Sequence, residues 1–213
     1  MDWHTKIAQQ AFSIIILIAL IIFSYIGFKT PWGSNYFTDN IVPELIGVCI
    51  ELLIIIQVFN KWQERTQKKK LITLEKRLRE YLIFFLSHNF KDLPKPIRVN
   101  KFYSQLHEEN NKQIDALIGY IKENNLSTEC IFELRTHCIH EASTMEDLLS
   151  IASQLTNGHF KAWCRIVYFI NRIAHSQDPS HITTYTSNIL KHIKNFDTAS
   201  HEYELYEHDK TKK

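Results

Sequence analysis

The sequence predicts an all-α fold with a membrane-embedded N-terminal part. Two long apolar segments, 11–28 and 41–59, lie close together near the N-terminus. At 1.5 Å rise per residue, each is long enough to cross a hydrocarbon core of about 30 Å as a helix. The rest is polar, with apolar residues at helical spacing, and the whole chain has only five Gly and five Pro. We expect a two-helix transmembrane hairpin, a long helix leaving the membrane and a cytoplasmic helical bundle.

The distribution of charge predicts the orientation of the hairpin. The formal net charge is only +2, but residues 61–80 carry eight basic and three acidic side chains directly after the second apolar segment. Because Lys and Arg are enriched on the cytoplasmic side of membrane spans, this cluster places residues 61–213 in the cytoplasm. Two spans return the N-terminus to the same side. We therefore expect a multi-pass inner (plasma) membrane protein with cytoplasmic N- and C-termini.

A cleaved signal peptide is the alternative interpretation of the first apolar segment. The apolar run in 11–28 is longer than the 7–15 residues usual for such peptides, and no clean small-x-small cleavage motif follows it. A retained span is the favoured interpretation.

The chain beyond residue 60 predicts one long helix and then a helical domain. No Gly or Pro occurs from Val48 to Leu93, so the second span should continue into a basic juxtamembrane helix over 61–93. Ser127 is a predicted N-cap and Gly158 a predicted helix stop. The expected domains are the hairpin, the juxtamembrane helix, a cytoplasmic helical domain and a flexible charged tail, at 1–60, 61–93, 94–196 and 197–213.

Two carboxylates inside the second span form the first candidate site. Glu44 and Glu51 lie seven residues apart, with Gly47 between them, so all three share one helical face. A charged side chain near the centre of a bilayer costs on the order of 3 kcal/mol, which disfavours contact with lipid. This face either lines a water-filled path formed by several copies or holds a structural carboxyl while Glu44 reaches the interface.

The basic cluster after the second span has two interpretations. Juxtamembrane Lys and Arg attract anionic lipid headgroups, at about 1 kcal/mol each. The same charges are suited to the phosphates of a nucleic acid. Because topology alone predicts such a cluster, lipid contact is favoured. The candidate phosphate-contacting residues are Lys61, Arg65, Lys68, Lys69, Lys70, Lys76, Arg77 and Arg79.

A second candidate group, Cys130, Arg135, His137, Cys138 and His140, falls within one predicted helix. The two Cys and two His lack the spacing of a tetrahedral metal site, so we predict no metal. Arg135 and His140 have the Arg-x4-His spacing of helical HEPN-type ribonucleases, in which Arg stabilises phosphate charge and His moves a proton. This spacing is expected about once by chance in the chain. We expect no enzymatic activity and no cofactor, and keep a membrane-tethered ribonuclease as the alternative.

The order of a hairpin (IIILIALIIFSYIGF and IVPELIGVCIELLIIIQVF), a basic helix and a helical cytoplasmic domain resembles small two-transmembrane effectors of bacterial anti-phage systems, especially retrons. The resemblance concerns layout, without a shared motif, and no residue roles follow from it. It implies a toxin that a complex of reverse transcriptase, RNA and DNA restrains, and that permeabilises the inner membrane on infection, causing abortive infection.

The expected partners follow from this layout. Two helices enclose no lumen, so a leak requires a homo-oligomer in the lipid bilayer. No small-molecule substrate is evident from the sequence. A non-toxic membrane anchor or sensor is the remaining alternative.

Overall fold

We describe residues 3–29, 41–94, 97 and 107–206 in a computed structural model. Every regular element in these ranges is an α-helix, which confirms the all-α prediction. The chain divides into two compact units, residues 1–67 and 68–213. In chain order the helices are α1 (Trp3–Lys29), α2 (Val42–Asn89), α3 (His107–Asn124), α4 (Thr128–Asp147), α5 (Leu149–Ala152), α6 (Asn157–His175) and α7 (Pro179–Glu202).

The longest element is α2, with 48 residues. Its course agrees with the predicted continuation of the second span, because no helix-breaking residue interrupts it between Val48 and its end. The predicted boundary at residue 93 does not separate two packing units. Leu78, Leu82 and Phe85 of α2 are buried in the core of the second unit, so this half of the helix is part of the second unit.

Among the described residues, α2 is the one helix long and apolar enough to cross a membrane. An 18-residue window within it has a mean hydropathy of 2.2, and only 11% of that window is buried. The core helix of a soluble protein would bury far more of this surface. Helix α1 holds a shorter apolar stretch, Ala11–Tyr25. The first span and the hairpin therefore stay predictions.

The second unit closes around an apolar core to which α2, α3, α4, α6 and α7 contribute. Trp163 of α6 is fully buried, and its indole Nε1 donates a hydrogen bond to the Met145 carbonyl at 3.1 Å. Phe196 of α7 lies 6.1 Å from the Trp163 ring. This pairing of large rings with one satisfied polar atom is typical of a well-packed interior.

One predicted helix limit in the second unit is confirmed and another is wrong. Ser127 is confirmed as the N-cap of α4, because its side chain accepts a hydrogen bond from the Cys130 amide. The predicted stop at Gly158 is wrong, since α4 ends at Asp147 and Gly158 lies within the first turn of α6. Thr156 is the N-cap of α6, and its side chain accepts a hydrogen bond from the His159 amide. Gly158 therefore follows the start of the helix and does not end one.

The predicted start of a flexible tail at residue 197 is also wrong. Helix α7 continues to Glu202, and its last turns bury Asp197 and Ser200. Tyr206 beyond the helix donates a hydrogen bond to Asp197. The rest of the predicted tail, 207–213, lies outside the described residues.

Candidate functional site

The first candidate site is the surface of α2 that carries Glu44, Gly47 and Glu51, all of them exposed. A Cβ added at Gly47 would meet no atom within 4 Å, so the surface beside the carboxylates is open. Seven residues are close to two helical turns, which brings Glu44 and Glu51 to one face. Their placement on one exposed face agrees with the sequence, whereas their role stays a prediction.

Large apolar side chains are exposed further along the same half of α2. Ile55 is 61% exposed, Val58 64% and Trp62 62%. Together with Ile54 and Phe59 they line a shallow apolar groove of about 370 Å³. Apolar surface left in water forfeits roughly 25 cal/mol for each Å² that burial would remove. A surface of this kind marks contact with lipid or with another protein.

The basic cluster is exposed except for Arg79. Lys68 pairs with Glu204 at 2.7 Å, and both side chains remain accessible to water. Arg79 is 8% exposed and its guanidinium forms an ion pair with Glu75. A phosphate cannot reach Arg79 unless this ion pair breaks. We therefore leave Arg79 out of the phosphate-contacting surface. The exposed members are Lys61, Arg65, Lys68, Lys69, Lys70, Lys76 and Arg77.

A buried polar network in the second unit joins α2 to α6 and α7, and it is the main feature that sequence reasoning missed. Arg79 Nε donates to Glu75 Oε1 at 2.9 Å. Ser200 Oγ also donates to Glu75 Oε1, at 2.5 Å, and His159 Nε2 lies 3.0 Å from Ser200 Oγ. His159 Nδ1 in turn lies 2.7 Å from Thr156 Oγ1. Glu75 thus links a charged partner on its own helix to a hydroxyl on α7.

A second carboxylate extends this network. Asp197 accepts hydrogen bonds from Tyr206 Oη at 2.6 Å and Asn110 Nδ2 at 3.2 Å. His107 Nδ1 lies 2.7 Å from its other oxygen. The Arg79 guanidinium stacks over the Tyr206 ring at 4.5 Å, which connects the two carboxylates through one cation.

Burial determines the ionisation behaviour of this network. Burial raises the pKa of the Glu75 carboxyl above its ordinary value, although Arg79 acts in the opposite direction. Burial lowers the pKa of His159 to about 4, and the positive charge of Arg79 adds to this effect. A neutral His159 whose Nε2 carries the proton can donate to Ser200 while Nδ1 accepts from Thr156.

Ser200, His159 and Glu75 are the residue types of a hydrolase triad, but a substrate cannot reach them. Ser200 and His159 are both 0% exposed. The Ser200 proton is directed at Glu75, and not at an imidazole that would act as base. We conclude that this network fixes α2 against α6 and α7 and does not handle a substrate.

The structure does not bring Arg135 and His140 together as a nuclease pair. Five residues on a helix separate two side chains by about 140°, and no hydrogen bond joins them in the part of α4 that we describe. His140 is exposed and Arg135 is half-buried. Between them, His137 is buried beside His88, with ring centroids 4.5 Å apart. The Arg-x4-His spacing therefore does not bring the two side chains together as a nuclease site.

Within the described ranges, no three His, Cys, Asp or Glu side chains are grouped so that they could hold a metal ion. Cys130 and Cys138 belong to the packed part of α4, and burial raises the pKa of the Cys138 thiol to about 12.

Comparisons with known proteins return no match to this chain among family models, curated protein sequences or solved structures.

Proposed function

We propose that this chain is a membrane effector of antiviral defence against phage. It inserts its N-terminal helices as a hairpin in the inner membrane, with both termini cytoplasmic, and assembles there into a homo-oligomer. A cytoplasmic complex of the retron type, with a reverse transcriptase and its RNA and DNA, holds it inactive. Release from this complex lets the oligomer permeabilise the membrane, and the infected cell dies or stops growing.

The observation that supports this proposal most is the open face of α2 with Glu44, Gly47 and Glu51. In a bilayer, Glu51 would lie near the middle of the span, where contact with lipid costs on the order of 3 kcal/mol. In an oligomer with this face turned inward, the carboxylates would contact water and neighbouring copies of the chain instead of lipid. The absence of a side chain at Gly47 allows a neighbouring helix to approach closely.

The basic half of the helix supports the orientation. Lys61, Arg65 and Lys69 are exposed and follow the apolar segment directly, as expected for side chains at an anionic cytoplasmic leaflet. The same charges oppose transfer of this segment across the membrane. A fluorescent reporter fused to the C-terminus should therefore be active in the cytoplasm.

The defence context comes from the layout, which resembles small two-transmembrane effectors of anti-phage systems. The described residues offer no accessible catalytic arrangement that favours the ribonuclease alternative, because the Arg135 and His140 side chains diverge on α4. A membrane effector is also consistent with the exposed apolar surface of the first unit.

Release of a dye from lipid vesicles tests the pore function. The full chain, purified in detergent and reconstituted with anionic lipid, should release an entrapped dye. Glu51→Leu should reduce this release at least tenfold, because the polar lining is lost. Gln57→Leu is the matched control: it adds the same apolar side chain elsewhere in the span and should leave release unchanged.

Three results would contradict the proposal. Equal loss of release in both variants would assign the effect to general hydrophobicity. Dye retention by the wild-type chain, with normal membrane potential in cells that overexpress it, would leave an anchor or sensor. Growth arrest with intact potential and degraded RNA, abolished in Arg135→Ala/His140→Ala, would establish the ribonuclease.

A further inference from the structure

An open groove lies between α6 and α7 on the surface of the second unit. Its volume is about 810 Å³, within the roughly 300–1,000 Å³ of small-molecule sites. The α6 wall presents Lys161, Arg165 and Tyr168, and the α7 wall presents His192 and Asn195. Apolar surface with a few polar groups is the usual composition of a ligand site.

Two cations occupy the α6 wall. Lys161 and Arg165 are four residues apart, so their side chains leave the same helix face about 6 Å from one another. Both are exposed, and within residues 107–206 neither forms an ion pair or a hydrogen bond. This contrasts with Lys194 on α7, which pairs with Asp115 at 2.6 Å. Two cations at this spacing match adjacent phosphates.

The α7 wall adds neutral hydrogen-bonding groups. The His192 ring stacks on Phe169, with centroids 5.8 Å apart and 15° between the planes. Burial lowers the pKa of His192, and the positive charges of Arg165 and Lys191 lower it further. His192 is therefore neutral, and the Asn195 amide, whose Nδ2 lies 3.4 Å from His192 Nδ1, is a second neutral polar group on this wall. Glu202 is the one acidic side chain among the lining residues, and Ala199, three positions before it, packs against Gly158 at the Lys161 end of the groove.

An aromatic ring completes the set. Tyr168 follows Arg165 by less than one turn and is 51% exposed, while its contact with Phe169, at 5.1 Å between centroids, holds the ring. An exposed ring beside a cation offers a stacking surface for a nucleobase.

We propose that the α6–α7 groove binds a nucleoside phosphate. The phosphates bind Lys161 and Arg165, the base stacks on Tyr168, and His192 and Asn195 donate to or accept from the sugar or the base edge. This site is independent of the pore function, because every residue in it belongs to the second unit.

Isothermal titration calorimetry with the full chain in detergent tests the proposal. The probes are ADP, GDP, CDP and UDP, together with adenosine and pyrophosphate. At least one nucleotide should bind, and adenosine and pyrophosphate should each bind at least tenfold more weakly. Lys161→Ala/Arg165→Ala should weaken nucleotide binding at least tenfold. Lys112→Ala/Lys122→Ala removes the same charge from exposed positions of α3 and should leave binding unchanged.

A second variant separates base recognition from charge. Tyr168→Ala should reduce nucleotide affinity towards that of pyrophosphate and leave pyrophosphate binding unchanged. Pyrophosphate binding as tight as the nucleotides would reduce the groove to a general anion surface and overturn the proposal. Three further results would also overturn it. These are an equal loss of nucleotide affinity in both double variants, no heat with any nucleotide at millimolar concentration, and tighter binding of a single-stranded oligonucleotide than of any nucleotide.

Discussion

The two units of this protein treat apolar surface in opposite ways. In the second unit, large side chains such as Trp163, Phe196 and Ile193 are 0% exposed. In the first, Ile15 and Ile55 are each 61% exposed. The same residue types thus form a closed core in one unit and an outer surface in the other.

This difference shows where each unit obtains its stability. The second unit buries its apolar area internally, at roughly 25 cal/mol for each Å². The first unit leaves much of its apolar area exposed, and α2 is long and apolar enough for a membrane to cover that area. A substitution in the core of the second unit should therefore lower its free energy of unfolding, whereas a substitution on the exposed surface of the first unit should leave that free energy unchanged.

The largest effect is expected from Arg79→Ala. Removing this cation leaves Glu75 buried without its charged partner, which costs about 3–5 kcal/mol. Urea unfolding of the second unit, followed by near-ultraviolet circular dichroism in detergent, should detect the loss. Arg77→Ala, two positions away and exposed, should change the free energy of unfolding by less than about 0.5 kcal/mol. Similar losses in both variants would mean that the network contributes little.

A matched pair of isoleucines tests the comparison directly. Ile193→Ala should destabilise the second unit by about 2–5 kcal/mol, because it opens a cavity in a closed core. Ile55→Ala should leave that stability unchanged and weaken association between copies in vesicles, measured by crosslinking. The comparison would fail if Ile55→Ala lowered the urea midpoint as much as Ile193→Ala.

A smaller effect is expected from acidification. Burial lowers the pKa of His137 and of His159 to about 4, so the unfolded chain binds protons at these sites before the folded chain does. Their contribution to stability is complete above about pH 6.5 and is lost as the pH falls towards 4. At pH 5 each histidine should reduce the free energy of unfolding by about 1–2 kcal/mol.

His137→Gln isolates this contribution. The raised pKa of Glu75 acts with the opposite sign, favouring the folded state at lower pH, and it is common to both proteins. The difference between wild type and variant in urea midpoint, measured from pH 8 to pH 5, should therefore report His137 alone. A difference that does not change with pH would contradict the prediction.

The helical class and the length of α2 could be predicted because both depend on local properties. Continuous helix formers from Val48 to Leu93 leave no position at which a turn is favoured, and Ser127 caps the next residues through its own side chain. The end of α4 could not be predicted in this way. It depends on a short backbone turn at Leu148, where no Gly or Pro marks the break.

The buried network could not be predicted because its partners are distant in sequence. Ser200 and Glu75 are separated by 125 positions, and Ser200 fell within the predicted tail. Glu75 also resembled a solvated residue among many basic neighbours. One local signal was present: Glu75 lies four residues after Leu71 and three before Leu78, on the apolar stripe of the helix.

The unbroken course of α2 has a mechanical consequence. At 1.5 Å per residue, its 48 residues extend about 72 Å, more than twice the thickness of a hydrocarbon core. On a helix, a rotation of about 100° about the axis brings the next residue to a given direction. Because the buried network fixes α2 against α6 and α7, the helix cannot rotate within the second unit without breaking the hydrogen bond from Ser200 to Glu75.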